Sequence, residues 1–565
     1  MPNTKKQTEQ PINLFGSIAL TFSGGGYRAS TFALGILSYF NHVQFKNKPL
    51  LENVKGLSTV SGGTLTGATY ACNAAEDKYF DAFYEYFYQI LDEDKLLGIA
   101  LEKLDSEVLW ENSHKKRSLI NAFALAYAEL LTDDTFQCLK EKENKSHLDD
   151  ICFNATDFSF GLAFRFQTSG VFGNYRLKNS NLDKLSGNMK IADAIASSSC
   201  FPMGFEPMVM PADYVSDHKS ETYIAIKAQD EFKNGVGIMD GGIVDNQGIG
   251  SIMNIDAQRE KEGKSFDLIM VCDVGSYFMD PWQPSKLDMD GEEGSTSPKS
   301  IYETIVKKLR SSWWIWLLPI PISATLLILG FYIQNGTWLF ISGGAVGMFA
   351  IIAGIARFYI DKVTYKIIKT WSWIMGMVPG FIRDKLVHFE NLRLRLIQRM
   401  LEERGTSAMK MISEIFLKQI RRLNYNLFYT DERLKNRRIT ALIYELTKEQ
   451  YKFGESDEKD LDVKSEQIPD PGDGIYAAAK IASEMGTTLW FSDEDKKVYR
   501  LKNLVSCGQF TACYNLLKYC LDLKKAKVNV DQELIDEMIG VFKTDWELFI
   551  ENPYWLHDKL KIKKP

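Results

Sequence analysis

Two short stretches of this chain carry residues that could do chemistry together: a serine that could serve as a nucleophile, and a run of glycines whose backbone N–H groups could hold an anion. Ser61 ends a β-prone run, Val54 to Val60. It is followed by Gly62 and Gly63, which let the backbone turn sharply into the helix-like segment Leu65 to Ala74. That layout suits a nucleophile elbow, a strained strand-to-helix turn that presents a hydroxyl at the end of a sheet. Thr59 stands where the usual G-x-S-x-G spelling has its first glycine, and the same residues also suit a plain serine N-cap. The glycine run lies in Ser23-Gly24-Gly25-Gly26-Tyr27-Arg28-Ala29, after the apolar run Ile18 to Phe22 and before a helix-period segment, Thr31 to His42. Glycines let successive N–H groups converge on one anionic centre beside a helix N-terminus.

Gly24-x-Gly26-x-x-Ala29 satisfies a dinucleotide fingerprint in letter only. That motif requires an acidic residue at the end of a second strand about 20 residues on, whereas Gln44 to Leu51 is polar and broken by proline. A P-loop is excluded because no Gly-Lys-Ser/Thr follows. An oxyanion hole and a ligand-free turn remain. In a parallel sheet the glycine loop and Ser61 open at the same C-terminal edge, where α/β proteins place their sites.

Further along, Asp240 ends the β-prone run Val236 to Met239 and is followed by Gly241 and Gly242. Small neighbours let that carboxylate approach another loop closely, although a turn aspartate looks the same in sequence. Asp245 and Asp273 are its rivals. Of the six histidines, only His388 and His557 follow Asp240, both in charged helical surroundings. The chain order of a Ser-Asp-His triad therefore finds no histidine at a strand end.

These blocks, together with the small-residue helix Ala194 to Pro202 and the turn Asn154-Ala155-Thr156-Asp157, resemble the patatin-like phospholipases, with some similarity to the cytosolic phospholipase A2 group in the glycine loop. The resemblance spans residues 14 to 280. It implies an α/β fold, a patatin-like three-layer sandwich with a mostly parallel central sheet, and a Ser-Asp dyad: Ser61 the nucleophile, Asp240 its base. It further implies an oxyanion hole at Gly24, Gly25 and Gly26, with Gly62, Gly63, Gly241 and Gly242 supporting the elbow and the dyad. Arg28 either anchors a lipid phosphate or pins the loop. The implied activity is hydrolysis of phospholipid ester bonds through an acyl-enzyme, without a cofactor. A transacylase using the same dyad and a silent membrane scaffold are the alternatives.

Composition bounds the rest. The chain has 565 residues, 45% of them hydrophobic, and a net charge of −6, which allows a large core and argues against a nucleic-acid binder. Eight cysteines fall without a C-x-x-C pair or zinc-finger spacing, so neither a disulfide framework nor a metal site is expected. The polar start, residues 1–13, lacks an apolar signal core.

Ser311 to Ala356 contains no charged residue. Trp313 to Gln334 and Thr337 to Ala356 are each near the roughly 20 residues that cross a bilayer, with a buried core hairpin as the other possibility. Lys307, Lys308 and Arg310 before them and Arg357, Lys362, Lys366 and Lys369 after them place both ends in the cytoplasm by the positive-inside rule. The expected plan is a polar tail (1–13), a catalytic domain (14–280), an acidic linker with a basic flank (281–310), and a transmembrane helical hairpin (311–360). A basic helical region (361–454), a loop (455–474) and a C-terminal helical region packed on the catalytic domain (475–565) follow. Membrane phospholipids are the expected partner and a bacterial inner membrane the expected location; the oligomeric state is not legible.

Overall fold

The computed structural model describes residues 12–561 except 106, 111–113, 142–145, 178–181, 203, 277–278, 280, 286–296, 298–299, 301–303, 305–317, 334–335, 353–361, 363–393 and 460–467. The chain divides into two units, residues 1–279 with 413–565, and residues 280–412.

The first unit is built on one sheet. Its strands are β1 (Ile18–Phe22), β2 (Val54–Val60), β3 (Asp150–Asp157), β4 (Leu162–Gln167), β5 (Met208–Met210), β6 (Val236–Asp240), β7 (Leu268–Asp273) and β8 (Arg438–Leu442). They lie in the order β8-β7-β1-β2-β3-β6-β5, with β4 beside β3. β8, β7, β1, β2 and β3 run parallel. β4 and β6 pair with β3 in the antiparallel sense, as does β5 with β6. Every residue of β1 is buried, which is why it reads Ile-Ala-Leu-Thr-Phe without polar alternation: a central parallel strand is covered on both faces.

Register brings the chemistry together. Phe22 lies beside Thr59 on one side and Cys272 on the other, so β1, β2 and β7 end at the same level. Val60 pairs with Asn154, and the next residue of β3, Ala155, pairs with Asp240. Because β6 runs against β3, its C-terminal residue arrives where β2 stops. Helix α1 (Gly26–His42) leaves β1 through the glycine loop, and α2 (Gly62–Ala75) leaves β2 through Ser61. The small-residue helix α3 (Ile191–Ser198), the short α4 (Gly242–Asp245) and α5 (Ile249–Lys261) complete that edge. The aromatic run from Tyr79 lies on the helix Phe80–Glu93, whose Phe83, Tyr84 and Phe87 are buried; these side chains build core.

Residues from 413 onward are part of the same unit. Helix α6 (Leu417–Thr430) precedes β8, and the long helix α7 (Arg500–Lys525) packs along α1. The two backbones meet at Gly35 and Gly508: a Cβ on Gly508 would lie 2.3 Å from the Phe32 carbonyl oxygen. Two expected segments take another form here. The region 361–454 is not helical throughout, because Arg438–Leu442 forms the edge strand beside β7; Ile439 and Thr440 carry the β-branching that suits it. Helix Lys448–Lys459 enters the expected loop 455–474. Around Thr487 to Phe491 the chain has no regular secondary structure, and the Thr488 carbonyl accepts from the Tyr27 N–H at 2.8 Å.

The second unit contains a helical hairpin, Pro319–Tyr332 followed by a helix over 337–352. Ser323 donates a hydrogen bond of 2.7 Å to the Gly343 carbonyl, and the Phe331 and Phe340 rings meet edge to face at 5.0 Å. The expected bilayer-length spans are corrected: no helix among the described residues is long and apolar enough to cross a membrane. Pro319 opens the first helix, where proline, which lacks an N–H, suits the first turn. Extended Ile333 ends it after 14 residues, a length of about 21 Å against a hydrocarbon core of about 30 Å. Residues 311–317 and 353–356, the outer ends of the expected spans, lie outside the described residues, as do His388 and the segment Trp371 to Ile382. The hairpin surface is apolar nonetheless, with Phe331 81% and Trp338 79% exposed.

Candidate active site

Ser61 sits in the turn between β2 and α2 with φ 49° and ψ −122°. A non-glycine residue there is strained, typically by about 1–3 kcal/mol, and needs a surrounding structure that over-determines it. Its backbone N–H donates to Ser198 Oγ at 2.8 Å, and that hydroxyl donates to the Asn154 carbonyl at 2.6 Å. Thr64 Oγ1 lies 2.9 Å from Ser198 Oγ and accepts from Thr59 Oγ1 at 3.0 Å. Asn154 Nδ2 in turn donates to Ser58 Oγ and the Thr59 carbonyl, both at 2.9 Å. The turn is thus tied to α3 and β3 by hydroxyls and amides that neighbour one another only in the fold.

Glycines allow the loops to close on each other. A Cβ on Gly62 would lie 2.0 Å from the Gly26 carbonyl oxygen, and one on Gly63 2.6 Å from that of Phe22. The absent first elbow glycine has its own compensation. A Cβ on Gly67, one turn along α2, would lie 2.5 Å from Thr59 Cγ2, so the room that a glycine at position 59 would leave is provided on the opposing helix.

The glycine loop faces the serine: a Cβ on Gly24 would lie 3.0 Å from Ser61 Cβ. Its N–H groups are not equivalent. Gly24 donates to the Asn246 carbonyl at 2.9 Å and Tyr27 to the Thr488 carbonyl at 2.8 Å, while among the described residues the N–H groups of Gly25 and Gly26 have no acceptor. The Gly24 N–H thus fixes the loop to the segment after β6.

Asp240 is buried at the end of β6. Oδ1 accepts from the Gly242 N–H at 2.7 Å, and the carboxylate is hydrogen-bonded by the Ser61 side chain. Burial pushes its pKa from 3.8 up to about 7, while the bonds from Gly242 and Ser61 hold it down. The rivals are occupied elsewhere. Asp245 accepts from the N–H groups of Ile249 and Gly250 at 3.1 and 2.7 Å and from Asn424 Nδ2 at 3.1 Å, anchoring α5 and α6. Asp273 is paired with Arg421 at 2.7 Å and bonded by Tyr425 at 2.8 Å. His557 lies between Asp558 and Tyr88.

Arg28 is buried, and its Nη1 donates to the Met485 carbonyl at 2.6 Å. Burial pulls the guanidinium down to about 10 against the pull of Asp273. It lines a cavity of about 920 Å3 with Tyr444, Lys448, Tyr476 and Met485, and neither Ser61 nor Asp240 lines that cavity.

Ser198, Asn246 and Gly67 were missed as site residues by sequence reasoning. Ser198 acts across 137 positions of chain and Asn246 across 222, while Gly67 meets Thr59 between α2 and the end of β2, and only the small-residue character of α3 hinted at close packing.

A serine at a strained strand-to-helix turn, a glycine loop and a buried aspartate at one sheet edge define an α/β protein with a serine-centred site. Residues 20–252 match the family model described as patatin-like phospholipase, so the chain carries a patatin-like phospholipase domain over that stretch. None of the curated proteins matches the chain. Among solved structures, human GIVD cytosolic phospholipase A2 is similar at 12% identity and a TM-score of 0.29, covering 50% of this chain and 51% of that one. The same human protein in complex with methyl gamma-linolenyl fluorophosphonate inhibitor and terbium chloride is similar at 14% identity and a TM-score of 0.28, covering 46% and 40%. The chain thus spans about half of these proteins or less, and likeness at these scores carries no functional argument.

Two outcomes follow from this geometry. Gly67→Ala, which in an open helix position would stabilise by about 1 kcal/mol, is expected to destabilise by about 1–3 kcal/mol through overpacking on Thr59. Adding Thr59→Ser removes the methyl, keeps the hydroxyl and restores the urea midpoint; a single variant more stable than wild type would contradict the packing. For Asp240 the sign is that of a raised carboxyl: the folded state holds its proton more tightly, so stability is lost as pH rises from near 3.8 through about 7. Asp240→Asn is expected to melt above wild type at pH about 8, by up to roughly 4 kcal/mol, the gap closing at acid pH.

Proposed function

We propose that this chain is a serine acyl hydrolase that cleaves phospholipid ester bonds through a Ser61–Asp240 dyad. The observation that carries the reading is the hydrogen bond between the Ser61 side chain and a buried Asp240 whose pKa is raised to about 7. A base titrating near the working pH can both accept the serine proton and return it. In this scheme Asp240 takes the proton as Ser61 Oγ attacks the ester carbonyl. The N–H groups of Gly25 and Gly26 hold the resulting oxyanion, each donor worth about 3–4 kcal/mol by analogy with other oxyanion holes. The protonated Asp240 then gives its proton to the departing alkoxide, and water, deprotonated by the same carboxylate, releases the fatty acid. Arg28 acts as a loop anchor through Met485.

The apolar hairpin supports a membrane site of action. Its exposed Phe331, Tyr332, Trp338, Phe349 and Ile351 suit insertion into one leaflet's interface, and the basic residues flanking it in sequence favour the anionic cytoplasmic face.

Fatty-acid release from phospholipid vesicles tests the dyad. Ser61→Ala and Asp240→Asn are each expected to lose about a thousandfold or more, and the wild-type kcat/KM should rise with pH through about 7 as Asp240 ionises. Activity surviving in Ser61→Ala would end the proposal. Vesicle co-sedimentation tests the hairpin: a Phe331→Asp, Trp338→Asp double variant should bind less while cleaving a soluble short-chain ester at the wild-type rate.

A further inference from the structure

The fold gathers a second set of reactive side chains away from Ser61. Cys72, near the end of α2, Asp134, and Cys138 on the short helix Gln137–Lys140 each place one ligand atom so that all three lie within 4.8 Å of one another. Cys72 is buried and the other two are half-buried. The sulfur of Cys72 is hydrogen-bonded to Cys138, and Thr132 also bonds it. The Thr132 hydroxyl donates to Asp134 Oδ2 at 2.6 Å, which holds the carboxylate in place.

We propose that Cys72, Cys138 and Asp134 form a binding site for a thiophilic divalent cation, with zinc its natural fit. Two thiolates and a carboxylate are a donor set zinc accepts, and tetrahedral coordination with sulfur at about 2.3 Å separates two sulfurs by about 3.8 Å. The present spacing therefore needs only a small contraction. Binding forms two metal–sulfur bonds and one metal–oxygen bond as both thiols release their protons to solvent. Water supplies the fourth position on the half-buried side. The carboxylate distinguishes this cluster from a mere thiol pair: a disulfide would have no use for Asp134 or for the hydroxyl that orients it. Thr132 is the outer partner that metal-binding carboxylates characteristically have. Sequence spacing hid the site because no two of its ligands follow a finger pattern. A bound ion would fasten the far end of α2, the helix that starts at Ser61, to the segment 132–140.

Cobalt(II) titration of the reduced, metal-stripped full chain tests this without reference to activity. The expected result is a thiolate-to-cobalt charge-transfer band with tetrahedral ligand-field bands, saturating at one equivalent and displaced by zinc. Cys138→Ser should lose most of the charge-transfer intensity, and Thr132→Val should weaken cobalt binding by about tenfold or more. Circular dichroism checks that the variants fold, and Asp134→Asn replaces Cys138→Ser should that one not fold. Absence of the band in wild type, or its persistence in folded Cys138→Ser or Asp134→Asn, would overturn the site. A Cys72–Cys138 cross-link formed in air by a protein that gives no cobalt band would make the pair a redox couple and overturn it equally.

Discussion

The strained backbone at Ser61 is the constraint on which the rest of the first unit depends. Holding a serine at φ 49° requires that the turn have nowhere else to go, and the surrounding contacts provide that condition. Gly62 and Gly63 bring the start of α2 against the glycine loop with no room for a Cβ. Ser198 captures the Ser61 N–H from across the sheet edge. Strain here is stored by packing and hydrogen bonding together.

Electrostatics at the site follows from that closure. Asp240 lies among apolar and backbone groups, so its charge is costly, and only the Gly242 N–H and the Ser61 hydroxyl offset the cost. Asp245 and Asp273, equally buried, are held by amides or an arginine and serve as anchors. Three aspartates from one stretch of chain thus differ in role because their neighbours differ. The glycine loop is held in the same way, with the Gly24 N–H donating to the Asn246 carbonyl.

The C-terminal region is part of the construction of the site. β8 extends the sheet beside β7, α7 meets α1 through paired glycines, and the segment around Met485 and Thr488 grips Arg28 and Tyr27 next to the glycine loop. Changes far along the chain can therefore reach the glycine loop through α1.

The sequence by itself determined the local chemistry: Ser61 after a β-prone run, the three-glycine loop, Asp240 before two glycines, the uncharged apolar stretch and the helical tail. These are properties of neighbouring residues, and a strand-to-helix turn or a helix period is written within a dozen positions. Tertiary structure decided what depends on distant partners. It placed Gly67 against Thr59, Ser198 against Ser61 and Cys138 beside Cys72, turned Arg438 to Leu442 into an edge strand, and ended the first hairpin helix at Ile333. None of these is encoded in spacing along the chain, because close packing and hydrogen bonding act through space, and only the assembled sheet brings those residues within reach of one another.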